Sequence, residues 1–171
     1  MKAQVYWIEG PWPGRLAIVP RPRGGDWLED EIQAWQHAGL DRVVSLLTPD
    51  EVIDLDLSEE EPWCQAHDIQ FMSFPIPDRS APASLNAALG LVHQLAHALA
   101  TGQRIAVHCR QGIGRSALLA AGQPERFSRI NIDTTIIQYF EAVMAVDHRP
   151  VRSDFQRTGL AWLQRIDEFL G

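Results

Sequence analysis

The sequence predicts an α/β fold: a single domain over residues 1–171 with a mostly parallel central sheet flanked by helices. Three observations carry this. Short apolar runs beginning near residues 42, 70 and 104 have the length and composition of strands buried on both faces. Helical patterns separate those runs, so strands and helices alternate as they do in βαβ units. A chain of 171 residues can bury one sizeable core but not two comfortable ones.

Taken in order, Arg15-Leu16-Ala17-Ile18-Val19 is bounded by Pro13-Gly14 and Pro20, which suits an edge strand, with residues 5–8 as its pairing partner. Asp26 with Glu29 three positions later has the form of a helix N-cap. Leu28, Ile32 and Trp35 then recur at helical spacing until Gly39 stops the pattern. Residues 42–47 form the next strand, ended by Thr48-Pro49-Asp50, and a helix is expected over 58–67. A strand follows over 69–76. Pro82 opens a long helix with Leu85, Leu89, Val92, Leu95 and Leu99 on one stripe, closed by Gly102. Arg104 to His108 is a buried strand that runs directly into a glycine-bearing loop. Beyond it, Ala121-Gly122-Gln123-Pro124 breaks the chain, and amphipathic helices are expected over 133–146 and 155–170.

Composition excludes several functions. A formal charge of −7 argues against a nucleic-acid surface or attraction to anionic membranes, both of which need clustered Lys and Arg. The N-terminal apolar run breaks at Glu9-Gly10, too early for a signal-peptide core or a spanning helix, so a cytoplasmic location is expected. Two cysteines, Cys64 and Cys109, read as thiols of a reduced protein, and Cys64 beside Trp63 reads as a packing residue, with a protective disulfide to Cys109 as the alternative. The six tryptophans are scattered and are expected to fill core and helix contacts. His93 and His97 stand four apart on the long helix without a third ligand, which suits a solvated face better than a metal site, and no metal is expected.

Chemistry concentrates in Val107-His108-Cys109-Arg110-Gln111-Gly112-Ile113-Gly114-Arg115-Ser116. Two glycines let the chain curl so that the amides of Arg110, Gln111, Gly112, Ile113, Gly114 and Arg115 converge on an anion, helped by a helix N-terminus. A cysteine at the floor of this cradle feels the same positive potential as the anion, which favours its nucleophilic form. Arg115 offers a planar fork for two phosphate oxygens, a geometry lysine lacks. The loop has neither the Lys-Ser/Thr ending of a P-loop nor the third glycine of a dinucleotide fingerprint.

This segment resembles the Cys-(x)5-Arg signature of protein tyrosine and dual-specificity phosphatases, matching at His108-Cys109, Gly112, Gly114 and Arg115-Ser116. The likeness to the small single-domain members runs from about Gly14 to Ala121 and implies a phosphotyrosine-phosphatase-like fold. It implies that Cys109 forms a phosphocysteine intermediate, Arg115 binds the phosphate, Ser116 assists departure of the thiolate and His108 supports the loop from beneath. It also implies a general acid, for which Asp78 in Pro75-Ile76-Pro77-Asp78-Arg79 is best placed among Asp50, Asp54, Asp56, Asp68 and Asp78, with Asp68 as the fallback. The expected activity is hydrolysis of phosphotyrosine in a protein or peptide, extending to dual specificity, without cofactor. The alternatives are a non-catalytic phosphoprotein-binding module, a phosphatase of phosphoinositides or RNA 5′-phosphates, and a rhodanese-type sulfur transferase.

Overall fold

Four parallel strands and one antiparallel edge strand make up the sheet in the computed structural model, which describes residues 2–8, 10, 12–78, 80, 82–110 and 115–116. The strands β1 (Tyr6–Ile8), β2 (Arg15–Ile18), β3 (Arg42–Ser45), β4 (Gln70–Ser73) and β5 (Arg104–His108) lie in the order β1-β2-β5-β3-β4. β1 runs antiparallel to β2 and every other pairing is parallel; β1 takes the edge, so β2, expected as an edge strand, is instead paired on both sides. β5 enters last in the sequence yet sits between β2 and β3, with Val107 opposite both Ile18 and Val44.

Alternation along each strand sends side chains to two cores. Leu16, Ile18, Val44, Leu46, Ile105 and Val107 face α4 (Leu85–Ala100), whose Leu91, Val92, Leu95 and Leu99 complete the first core. Ala17, Val19, Val43, Leu47 and Ala106 face α1 (Leu28–His37) and α3 (Glu60–Ala66), which contribute Leu28, Ile32, Trp35 and Cys64 to the second. The sheet is therefore covered on both faces, as its parallel character demands. Among the described residues no helix is long and apolar enough to cross a membrane.

Several expected boundaries move. Asp26 does not cap α1: it lies within a 3-10 turn, Gly25–Trp27, and the helix follows Trp27 without a side-chain cap. Close packing decides this, because Gly24 lies so near the backbone of Leu55 that a Cβ there would stand 2.1 Å from its carbonyl oxygen, while the Gly25 amide donates to the Asp56 carbonyl at 3.1 Å. Ser84, not Pro82, begins α4, its hydroxyl accepting from the Ala87 amide. The helix expected over 58–67 is shorter, and α2 (Pro49–Asp54) occupies a stretch where only the end of a strand was expected. Gly39 and Gly102 close α1 and α4 with φ of +79° and +89°, conformations that glycine adopts without strain.

The tryptophans divide: Trp35 is core, whereas Trp27 is 55% exposed with the Arg23 guanidinium 4.4 Å above its ring. His93 and His97 are exposed on α4, and no cluster of three metal-ligating side chains occurs among the described residues. The side chains of Leu85 and Leu89, the break at 121–124, Trp162 and the helices expected over 133–146 and 155–170 lie outside the described residues.

Leu95 is fully buried between α4 and the sheet. Leu95→Ala is expected to lower stability by about 2–5 kcal/mol, read as a shift in urea midpoint with an unchanged slope.

Candidate active site

The ladder of β5 continues to its last residue: the Val19 amide donates to the Val107 carbonyl at 3.1 Å and the Leu46 amide to the His108 carbonyl at 3.0 Å. Cys109 follows where pairing stops, at the carboxyl end of the central strand, and this is the edge at which open α/β sheets collect ligands. It is 3% exposed and belongs to the core on the α4 side. The chain leaves through Arg110, 45% exposed in its side chain, and returns at Arg115 and Ser116, both buried. Gln111, Gly112, Ile113 and Gly114 lie outside the described residues.

Arg115 is 2% exposed and is held by groups from three elements. Its Nη1 donates to Glu51 Oε2 at 2.7 Å, to the Ile76 carbonyl at 2.6 Å and to the Leu46 carbonyl at 3.2 Å, and its Nη2 donates to Glu51 Oε1 at 2.8 Å. The carboxylate thus takes the Nη1–Nη2 edge of the fork in bidentate fashion. Burial alone would lower the Arg115 pKa, but the Glu51 hydrogen bond, followed by the charges on Cys109, Glu51 and Asp78, raises it, so the cation is secure. In return, hydrogen bonding from Arg115 holds the Glu51 pKa down at about 2 against the opposing effect of burial.

Asp78 follows β4 at the same sheet edge, with Oδ1 3.8 Å from Arg115 Nη2 and its side chain 65% exposed. Among the described aspartates Arg115 approaches only Asp78. Asp68 is corrected as a fallback: it precedes β4 with φ +59°, at the opposite edge of a parallel sheet from Cys109. Asp50, Asp54 and Asp56 are exposed on or just after α2 and make no contact with Arg115. Arg110 Nη1 stands 3.9 Å from Glu51 Oε1, so one carboxylate faces two cations. Ser116 Oγ is buried without a hydrogen-bond partner among the described residues.

Sequence reasoning missed Glu51. The signal present was Thr48-Pro49-Asp50-Glu51, a capping box in which the Thr48 amide donates to Glu51 Oε2 at 3.0 Å and the Glu51 amide to Thr48 Oγ1 at 3.4 Å. Local pattern could have found the helix start, but not the pairing with an arginine 64 residues away. Glu60 was missed as well; it contacts His108, which points to the α1–α3 side of the sheet and lies 5.8 Å from Trp35 between ring centroids. Cys64 is a free, fully buried thiol whose pKa is pushed up by burial and then by Glu60 and Glu61. It sits in the second core while Cys109 sits in the first, on the other face of the sheet, which removes the protective disulfide.

The family described as "Tc-R-P: Polymorphic toxin system, DSP-PTPase phosphatase" matches residues 19–123. No curated protein matches the sequence. Among solved structures, a kinase-associated phosphatase with its catalytic-site cysteine replaced by serine superposes with a TM-score of 0.82 at 15% identity, covering 99% of this chain and 97% of that one. Tk-PTP in its active form gives 0.72 at 21% identity, covering 98% and 99%. A protein tyrosine phosphatase, described as putative, from Leishmania major gives 0.65 at 18%, covering 94% and 96%. At these identities the likeness establishes the fold.

Removing Glu51 leaves a buried guanidinium uncompensated, so Glu51→Gln is expected to cost about 3–5 kcal/mol near neutral pH. Because the folded pKa of Glu51 lies below its usual 4.5, the stability it contributes is complete above about pH 4.5 and is lost as pH falls toward 2. Urea midpoints of the native chain and Glu51→Gln should therefore differ most at pH 6–7 and converge near pH 2.

Proposed function

Because the chain belongs to the Tc-R-P family of DSP-PTPase phosphatases, we propose that it hydrolyses phosphate monoesters through a phosphocysteine intermediate on Cys109, with phosphotyrosine in a protein or peptide as the substrate. The observation that carries this is the setting of Arg115: Glu51 anchors the guanidinium, and Asp78 Oδ1 stands 3.8 Å from its Nη2, so the candidate phosphate-binding cation and general acid meet at the end of the sheet where Cys109 follows β5. In the first step the Cys109 sulfur forms an S–P bond while the P–O bond to the leaving group breaks, and the leaving oxygen takes a proton from Asp78. In the second, water attacks phosphorus and gives a proton to the Asp78 carboxylate, and the S–P bond breaks. Ser116, whose hydroxyl has no other partner among the described residues, donates a hydrogen bond to the departing thiolate.

Arg115 contributes most where charge develops on the transferring phosphoryl group, since its orientation is set before substrate arrives. Asp78 is exposed and close to Arg115, which suits a group that meets the leaving oxygen at the mouth of the site. The recessed Cys109 supports phosphotyrosine, whose phosphate stands away from the backbone on a rigid ring, over shorter phosphoserine. Backbone amides of residues 110–115 and the Arg110 side chain would complete the cradle. The steps call on no metal or cofactor, and a reducing cytoplasmic setting suits a thiol nucleophile.

The test is hydrolysis of p-nitrophenyl phosphate and a phosphotyrosine peptide in EDTA and reductant. Cys109→Ser should lower kcat by more than about a thousandfold on both. Asp78→Asn should lower kcat on the peptide by about 10²–10⁴-fold and much less on p-nitrophenyl phosphate, whose leaving group needs little protonation. A folded native chain without activity would favour the phosphoprotein-binding alternative, and activity surviving Cys109→Ser would sink the covalent mechanism.

A further inference from the structure

Glu60 is a buried carboxylate for which the reaction above has no use. It lies in the first turn of α3 at 1% exposure, and its Oε1 stands 2.7 Å from Nε2 of the fully buried His108. The approach is at hydrogen-bond distance, although its angles fall short of an aligned bond, and neither group has another hydrogen-bonding partner among the described residues. Burying such a carboxylate is costly, and an apolar side chain among Trp35, Cys64 and the rest of the second core would cost less. Stability therefore does not account for Glu60. Its location does: His108 is the last residue of β5, its carbonyl is fixed by the Leu46 amide, and its peptide leads directly into Cys109.

We propose that Glu60 is a positioning residue for the phosphate loop. It holds the His108 imidazole in one orientation through the Oε1–Nε2 contact, a small turn of the ring bringing an Nε2 hydrogen onto the carboxylate, and so fixes from the opposite face of the sheet the peptide from which the Cys109 side chain projects. A carboxylate that selects the tautomer and angle of an imidazole acts in the same way wherever a ring must be held for work at its other end. The inference rests on the assignment of Cys109 as nucleophile, and α3 thereby joins the site without touching substrate.

Glu60→Gln keeps the shape of the side chain and removes its charge. It is expected to lower kcat on p-nitrophenyl phosphate about 10-fold with KM changed less than about twofold, and Glu60→Asp should recover part of the loss. His108→Gln should show a similar loss, and the double variant Glu60→Gln/His108→Gln no further one, because the two act as a unit. Unchanged kcat in a folded Glu60→Gln, or losses that multiply in the double variant, would overturn the proposal. The native protein supplies a reading that depends neither on folding of a variant nor on turnover: ¹⁵N chemical shifts of His108 should report hydrogen on Nε2, and a ring protonated only on Nδ1 would also overturn it. If the native chain hydrolyses no phosphate ester, the proposed function fails, while the His108 tautomer and the rate of Cys109 alkylation by iodoacetamide in Glu60→Gln, expected to fall several-fold, still decide the role of Glu60.

Discussion

A guanidinium shut away from water must be neutralised where it lies, and Arg115 meets that demand through Glu51. The requirement organises the site end of the molecule. Glu51 must stand on a helix that starts immediately after β3, and the carbonyls of Leu46 and Ile76 must close on the same guanidinium from the ends of β3 and β4. Loss of any one partner would leave the charge short of acceptors in a region where unpaired polar groups are expensive. The arginine that the loop offers to an anion is therefore also the fastener that draws three strand ends together. Preorganisation follows from the same contacts, since a guanidinium anchored by Glu51 has little freedom left to lose.

The order of the sheet supplies the second constraint. By entering between β2 and β3, β5 is paired along both sides up to its end, so the loop that follows springs from a strand held on both sides. Alternation of side chains then divides labour across the sheet. Val107 and Cys109 turn toward α4, whereas His108 turns toward α1 and α3, where Glu60 and Trp35 wait. The two thiols are separated by the same alternation, with Cys64 silenced by burial and neighbouring carboxylates on one face and Cys109 at the strand end on the other. A phosphatase fold shared with structures at 15–21% identity needs little more than this patterning to persist, because apolar strands of the right period and a loop at the end of the central one can be built from many sequences.

Much of this was legible in the residues themselves. The strands at 42, 70 and 104 and the long helix before the loop declared themselves through periods of two and 3.6, because such patterns are a local matter. Asp78 was legible by its position after a strand. Helix starts were read less well: Asp26 has the chemistry of a cap, but the close approach of Gly24 to the Leu55 backbone sets the turn instead.

Short-range pattern was enough for the class of fold and for singling out residues 107–116 as the candidate segment. Which acids lie against that segment came from tertiary packing alone. Glu51 and Glu60 are unremarkable in a chain with 22 acidic residues, and they acquire roles because the insertion of β5 between β2 and β3 brings residues 51 and 60 against residues 115 and 108. Pairings across 48 and 64 positions depend on how strands are ordered, and hydrophobic periodicity carries no information about that order.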